Sequence, residues 1–220
     1  MWRFRQHGTA VGHDSADRGL DRSCCGHGGN LANAYVSLGL HAEALVYRQR
    51  AADMLAEIFP GNHPYVAMTA SSLGLNLWEA GRLEEAEAQL REAIELARTA
   101  FPEGHPQLAS PLTGYGRALT ARGDHAGAIT ALREAYKVRT GGLSEGDFNI
   151  GLTAVELGLA LDAAGRVEEA ENYLVEAYDI LRSAFGDQDE RVVRATRVLR
   201  EQLERRGLTA RVAELDARQR

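Results

Sequence analysis

Residues 73–86 read Leu73-Gly-Leu-Asn-Leu-Trp-Glu-Ala-Gly81-Arg-Leu-Glu-Glu-Ala86, with apolar residues at helical spacing on both sides of a glycine. That glycine recurs every 42 residues, at Gly39, Gly81, Gly123, Gly165 and Gly207. Five positions after the first four glycines stand Ala44, Ala86, Ala128 and Ala170. The pattern predicts a repeated pair of helices, with each glycine at a turn that needs a left-handed backbone.

Small residues form a further column, seven positions before the turn glycines. Its members are Ala32, Gly74, Gly116 and Gly158. Because a residue with little or no side chain lets two backbones approach closely, we expect this column to mark the contact between the two helices of each unit.

The loops between the units also repeat. A histidine precedes a proline at His63 and at His105, and an aspartate takes the place of the histidine at Asp147 and Asp189. Proline is tolerated in the first turn of a helix and aspartate is a good N-cap, so these positions are predicted to precede the first helices. In the third unit Ser110 is a further candidate N-cap, because a proline follows it.

The repeat resembles the tetratricopeptide repeat, in the 42-residue form found in kinesin light chains. The stretches that carry the resemblance are residues 73–86, Asn30-Leu-Ala-Asn-Ala-Tyr-Val-Ser-Leu-Gly39 and Gly165-Arg-Val-Glu-Glu-Ala-Glu-Asn-Tyr-Leu174. The resemblance extends over about residues 22–207. It implies an all-α fold, a right-handed α-solenoid (superhelix) of antiparallel helix pairs.

The period also divides the chain into units. Four units are predicted, over about residues 22–62, 63–104, 105–146 and 147–188. Residues 1–21 are expected to be disordered or the eroded edge of a preceding unit. Residues 189–220 are expected to form a C-terminal capping helix followed by a truncated partner helix.

The composition of the 220 residues narrows the classes of function. The formal net charge is −6, which disfavours binding to the phosphates of a nucleic acid. Among 25 basic residues only Lys137 is a lysine, and its neighbours rule out the Gly-Lys-Ser/Thr of a phosphate-binding loop. Neither a signal peptide nor a membrane-spanning run is visible, so we expect a cytoplasmic protein with no nucleic-acid or membrane partner.

Few residues suggest chemistry. Cys24 and Cys25 are adjacent and close to His27, but zinc sites use spaced cysteine pairs, which favours packing over metal binding. His63 and His105 have no recurring nucleophile or acid beside them, which favours loop and cap roles over catalysis. No catalytic residue, metal or cofactor is therefore expected.

Two sets of charged residues are interpreted as solvated surfaces. The first is a set of carboxylates in the first turn of two helices, where they favour the helix dipole: Glu84, Glu85, Glu168 and Glu169. The second is a ridge on the terminal helix, formed by Arg191, Arg194, Arg197 and Arg200. This ridge could meet an acidic partner or RNA, but the glutamates between the arginines favour solvent exposure.

The family resemblance implies a concave groove, lined by the first helices, that receives a peptide or a helix of a partner protein. The groove positions counted from the turn glycines are Asn30, Asn33, Ser37, Met68, Ser71, Ser72, Leu75, Trp78, Glu79, Thr113, Arg117, Thr120, Glu156, Leu159 and Asp162. Asparagine can both donate to and accept from a peptide backbone, and tryptophan is enriched at binding hot spots. We expect Arg117 to pair with an acidic ligand group, and Glu156 and Asp162 with a basic one.

Chaperone-binding members of the family hold a C-terminal carboxylate with asparagines, lysines and an arginine. Only Asn33 matches those positions, which disfavours that ligand. The sequence therefore predicts a non-catalytic protein-protein interaction module. The alternatives are a self-assembling structural solenoid, with a possible homodimer through exposed ends, the regulatory part of a larger bacterial signalling protein, or a polar inner face that binds nothing.

Overall fold

The computed structural model describes residues 31–59 and 61–218, and the described part is built of helices joined by short turns. The first helical segment, α1, covers residues 31–37. The later helices are α2 His41–Ile58, α3 Pro64–Glu79, α4 Leu83–Ala100, α5 Ala109–Arg122, α6 His125–Gly142, α7 Phe148–Ala163, α8 Val167–Phe185, α9 Glu190–Arg205 and α10 Thr209–Arg218. None of the described helices is long and apolar enough to cross a membrane.

The five turn glycines have the backbone conformation that the sequence predicts. The φ angles are 76° at Gly81 and 84° at Gly123, in the left-handed region that favours glycine. The residue after each glycine donates its N–H to the carbonyl five positions earlier, as Arg82 does to Leu77 at 2.9 Å. This bond closes the end of the preceding helix and fixes the reversal of the chain.

The column of small residues lies where the two helices of a unit touch. A methyl group added at Gly74 would lie 2.5 Å from Cγ of Leu90, and one added at Gly116 would lie 2.4 Å from Cγ of Leu132. Leu90 and Leu132 are fully buried. The prediction of a close approach is therefore confirmed. The residue that each glycine contacts is a leucine of the second helix.

The helices form one continuous stack. The first helices are α1, α3, α5, α7 and α9, and the second helices are α2, α4, α6, α8 and α10. Cα atoms of successive first helices approach within 8 Å, as between α3 and α5 and between α5 and α7, while the second helices are spaced more widely. The array therefore curves with the first helices on its inner side, and it is an all-α solenoid.

The loop residues cap the first helices as predicted. Nδ1 of His63 accepts from the N–H of Tyr65 at 3.2 Å, and the side chain of Asp147 accepts from that of Asn149 at 2.8 Å. The imidazole of His63 is also packed flat against the ring of Phe59, with 4.1 Å between the two ring centroids.

The expectation that Ser110 caps the third unit is wrong. A short 3₁₀ turn, Pro106–Leu108, precedes α5, and His105 caps that turn instead. Helix α5 then begins at Ala109, so Ser110 is already inside the helix. Pro111 occupies the third helical position, where its missing N–H costs no hydrogen bond.

The last two helices pack against α8. Val192, Leu199 and Leu203 of α9 join Tyr178 in one buried cluster, and Leu215 of α10 completes it. Several ion pairs tie these helices together, and the most buried of them links Glu171 of α8 to Arg206 and Arg211.

Candidate functional site

The inner face is the side of the first helices that points away from the second helices. The predicted groove residues belong to the first helices, except that Asn30 falls outside the described residues, and Met68, Ser71 and Ser72 border a cavity that α4 also lines. The more exposed of them are Asn33, Ser37, Met68 and Glu79. Those that are half-buried are Ser72, Leu75, Trp78, Thr113, Arg117, Thr120, Glu156, Leu159 and Asp162. Ser71 is buried, with 5% of its surface exposed.

A row of charged side chains crosses the inner face from α3 to α9. The guanidinium of Arg117 lies 3.7 Å from the ring centroid of Trp78. Nε of the same arginine is 3.7 Å from Oε1 of Glu156, and Nη2 of Arg194 is 2.9 Å from that oxygen. We call Trp78, Arg117, Glu156 and Arg194 the charged row.

The charged row changes two expectations from the sequence. Glu156 already has two arginine neighbours, and Asp162 accepts from Nη2 of Arg205 at 2.5 Å. A basic ligand group would therefore have to displace an arginine of this chain. Arg194 belongs to the ridge that was expected to be solvated, but it reaches inward to Glu156.

Arg117 differs from the other members of the row. Within the described residues its Nε has no hydrogen-bond partner, and its contacts are the ring of Trp78 and a carboxylate at 3.7 Å. A guanidinium has five N–H donors in a planar fork that matches a carboxylate. Because Nε is buried, an additional acidic group would have to accept from the terminal nitrogens of Arg117.

A cavity of about 200 Å³ opens between α3, α4 and α5. Its walls are formed by Ala67, Met68, Ser71, Ser72, Ala97, Phe101, Gln107, Ser110 and Pro111. Oγ of Ser71 is buried and has no hydrogen-bond partner among the described residues. An unpaired buried hydroxyl is costly, so a polar atom in the cavity would be stabilised there.

Most of the other hydroxyl groups on the inner face are bonded within their own helices. Oγ of Ser72 donates to the carbonyl of Met68 at 3.0 Å, and Oγ1 of Thr113 to that of Ala109 at 2.7 Å. Their lone pairs remain as acceptors. These residues therefore offer a ligand acceptors rather than donors.

The first unit contains an arginine, in contact with α1, that the predicted groove residues do not include. Arg48 of α2 sends Nη2 to Oδ1 of Asn33 in α1. It occupies the position that Leu90 holds one period later. Burial lowers the pKa of Arg48, and the nearby carboxylate of Glu79 partly counters that effect. The sequence contains an indication of this difference, since the 42-residue frame aligns Arg48 with Leu90.

The described residues contain no group of three or more His, Cys, Asp or Glu that could hold a metal ion. Cys24, Cys25 and His27 lie outside the described residues, so the structure does not bear on them. His63 and His105 have cap roles, which agrees with their interpretation as loop residues.

Three family models, each described as the tetratricopeptide repeat, match residues 24–99, 109–134 and 152–190. Together these matches cover well over half of the chain. The chain belongs to the tetratricopeptide-repeat family. A comparison with curated proteins finds no match.

Solved structures with tetratricopeptide-type repeats share this fold. A single-residue variant of the putative kinesin light chain TPR-like repeats of Podosopora anserina is 20% identical, with 94% of this chain and 95% of that chain covered and a TM-score of 0.73. BtubC (BKLC) from P. vanneervenii is 24% identical over 75% of this chain and 65% of that one, with a TM-score of 0.64. At these identities the likeness concerns the fold alone.

A Rap protein complexed with competence and sporulation factor has a TM-score of 0.74 at 15% identity. The match covers 89% of this chain and 53% of that one. This tetratricopeptide-repeat chain therefore shares its fold with proteins of different kinds, and the properties of its own inner face must decide what it binds.

Proposed function

We propose that this protein is a protein-protein interaction module that binds a peptide or a helix of a partner on its inner face. The observation that carries the proposal is the cavity beside Met68, where the buried hydroxyl of Ser71 has no partner among the described residues. A surface that only supports the fold would gain stability by filling such a cavity. A bound side chain would fill it in the complex.

The charged row supports the same proposal. Trp78 and Arg117 present an aromatic plate with an arginine stacked on it, and both residue types are enriched at binding hot spots. We propose that Arg117 receives an acidic group of the partner. Its position on the ring is already fixed, so little side-chain freedom would be lost on binding.

The experiment is an affinity capture from extracts of the native host, with partners identified by mass spectrometry. The variant Trp78→Ala/Arg117→Ala removes the aromatic plate and its arginine while Glu156 keeps Arg194. We expect the direct partner of the wild type to bind at least about ten-fold more weakly, a loss typical of hot-spot residues.

The control is Thr130→Ala/Lys137→Ala, which changes two exposed residues of the second helix α6. This variant is expected to keep the partner, because it leaves the inner face intact. If the inner-face variant folds, as judged by circular dichroism, and captures the same proteins in the same amounts, the proposed binding face is wrong.

A second candidate function is self-assembly through the first unit. Four of the large apolar side chains with high exposure lie close together in sequence: Leu31, Leu38, Leu40 and Val46. Helix α9 exposes one large apolar side chain, Val193, beside charged residues such as Arg197 and Glu201. Light scattering over a range of concentrations separates the candidates, since a strict monomer excludes self-assembly.

A further inference from the structure

The first unit lacks the helix contact that the other units share. In the second, third and fourth units a glycine of the first helix faces a fully buried leucine of the second: Gly74 with Leu90, Gly116 with Leu132, and Gly158 with Leu174. The corresponding residues of the first unit are Ala32 and Arg48. A close apolar contact is therefore replaced by an arginine.

Arg48 is poorly accommodated at this position. Its Nη2 donates to Asn33, but its buried Nε has no hydrogen-bond partner among the described residues. Burial is also the main cause of its lowered pKa. A buried donor without a partner weakens the packing in which it takes part, whereas the leucines opposite Gly74 and Gly116 strengthen it.

Helix α2 also lacks the polar links that join the later second helices to one another. Neighbouring second helices further along are joined by side chains, as Arg98 to Glu134 at 3.0 Å and Arg133 to Glu169 at 2.6 Å. Across the described residues, no hydrogen bond or ion pair joins α2 to α4. Among the described residues the polar side-chain contact from α2 to α3 is His41 to Glu79, at 3.7 Å, while Leu45 of α2 packs in one buried cluster with Leu73 and Leu77 of α3.

A wide cleft lies where those links would be. Its volume is about 700 Å³, and it runs between α2 and α4 above the side chains of Leu45, Leu73 and Leu77. At the same level between α4 and α6, the ring of Tyr115 occupies the position of Leu73 and lies under Arg91. Among the described residues, the space between α2 and α4 is thus an open cleft without a polar link, whereas α4 and α6 are joined by an ion pair and have a tyrosine ring between them.

We infer that residues 31–58 open as a unit of their own, while α3 to α9 stay folded, and that Arg48 sets how readily this happens. Opening uncovers Leu73 and Leu77, and it carries Asn33 and Ser37 away from the rest of the inner face. The consequence for binding rests on the proposed function. The opening itself does not, so it is tested without a ligand.

The test is hydrogen exchange of the whole chain, followed by mass spectrometry. In the wild type we expect the amides of α2 to exchange at least about ten-fold faster than those of α6. The variant Ala32→Gly/Arg48→Leu gives the first unit the glycine and leucine of the other units. We expect it to slow exchange in α2 by about ten-fold or more and to leave α6 unchanged.

Two further variants show whether the contact itself is responsible. Arg48→Leu alone should slow α2 less than the double variant, because the new leucine meets the methyl of Ala32. Arg50→Leu makes the same chemical change at an exposed position of α2 that lines the cleft but not the contact with Ala32, and it should slow α2 less than the double variant. The inference is overturned if wild-type α2 exchanges as slowly as α6, or if the double variant is no slower than Arg50→Leu.

Discussion

The contact between a glycine and a leucine is the smallest unit from which this solenoid is built. Gly116 and Leu132 show its physical basis, because a methyl group on the glycine would fall 2.4 Å from the leucine Cγ. The glycine lowers the intrinsic helix propensity at its position, and the leucine gains complete burial in return. The same pairing of a glycine with a buried leucine recurs in three units, which explains why the column of small residues holds no larger residue there.

Gly116→Ala is therefore expected to destabilise the protein by about 1–3 kcal/mol, the usual range for overpacking a core. The control is Gly141→Ala in α6, where an added methyl group has nothing within 4 Å. Alanine should be neutral there or stabilise by up to about 1 kcal/mol, through its higher helix propensity. Urea denaturation followed by circular dichroism measures both. Equal stabilities of the two variants would contradict the role of this contact.

At the scale of the helix, the way each first helix begins follows from local chemistry. His63, His105, Asp147 and Asp189 each accept a backbone N–H two positions ahead. The sequence predicted these caps from the repeated loops alone. It failed for α5, because the 3₁₀ turn at Pro106–Leu108 moves the start of the helix upstream of Ser110. A short turn of that kind depends on packing against α4 and α6, which no local pattern contains.

The cap of α9 makes a prediction about pH. Side-chain and backbone hydrogen bonds from Arg191 lower the pKa of Asp189 to about 2, below the value of about 3.9 for a free aspartate. A lowered pKa means that the contribution of Asp189 to stability is complete above about pH 4 and is lost as the pH falls towards 2. Asp189→Asn keeps an N-cap without the charge. The stability difference between wild type and Asp189→Asn, from urea denaturation, should shrink from about pH 5 to about pH 2. A difference that stays constant would contradict this assignment.

Docking of α10 depends on one buried carboxylate. Glu171 is 6% exposed and pairs with Arg206 and Arg211, so its removal takes away the carboxylate partner of Arg211 and one of the two partners of Arg206. Because both arginines are partly exposed, no buried charge is left unpaired, and Glu171→Ala should cost about 1–3 kcal/mol, the range for losing hydrogen bonds to a charged group. Glu168→Ala is the matched control, because this exposed residue pairs with Arg206 at 3.3 Å and should change stability by about 0–1 kcal/mol. Thermal unfolding compares the two, and similar losses would contradict the assignment.

At the scale of the whole molecule, the 42-residue period alone predicts the architecture, because the residues that form each helix contact recur in several units. The inner face is less predictable. Its positions follow from the register, but the pairing of Glu156 with both Arg117 and Arg194 depends on how far neighbouring helices are staggered. Likewise, the cavity beside Ser71 arises from three helices that meet, and a column of residues does not show whether the space between them is filled.

A stack in which each unit touches its neighbours should pass on damage over a limited distance. Leu132 is fully buried between α5 and α6, and its replacement by alanine typically costs about 2–5 kcal/mol. Hydrogen exchange of Leu132→Ala should accelerate most in α5 and α6, less in α4 and α7, and least in α9. Thr130→Ala, an exposed change on the same helix, should leave the whole profile unchanged. A uniform acceleration from α3 to α9 would mean instead that the array unfolds as one cooperative block, because coupling between its units then exceeds the stability of any single unit.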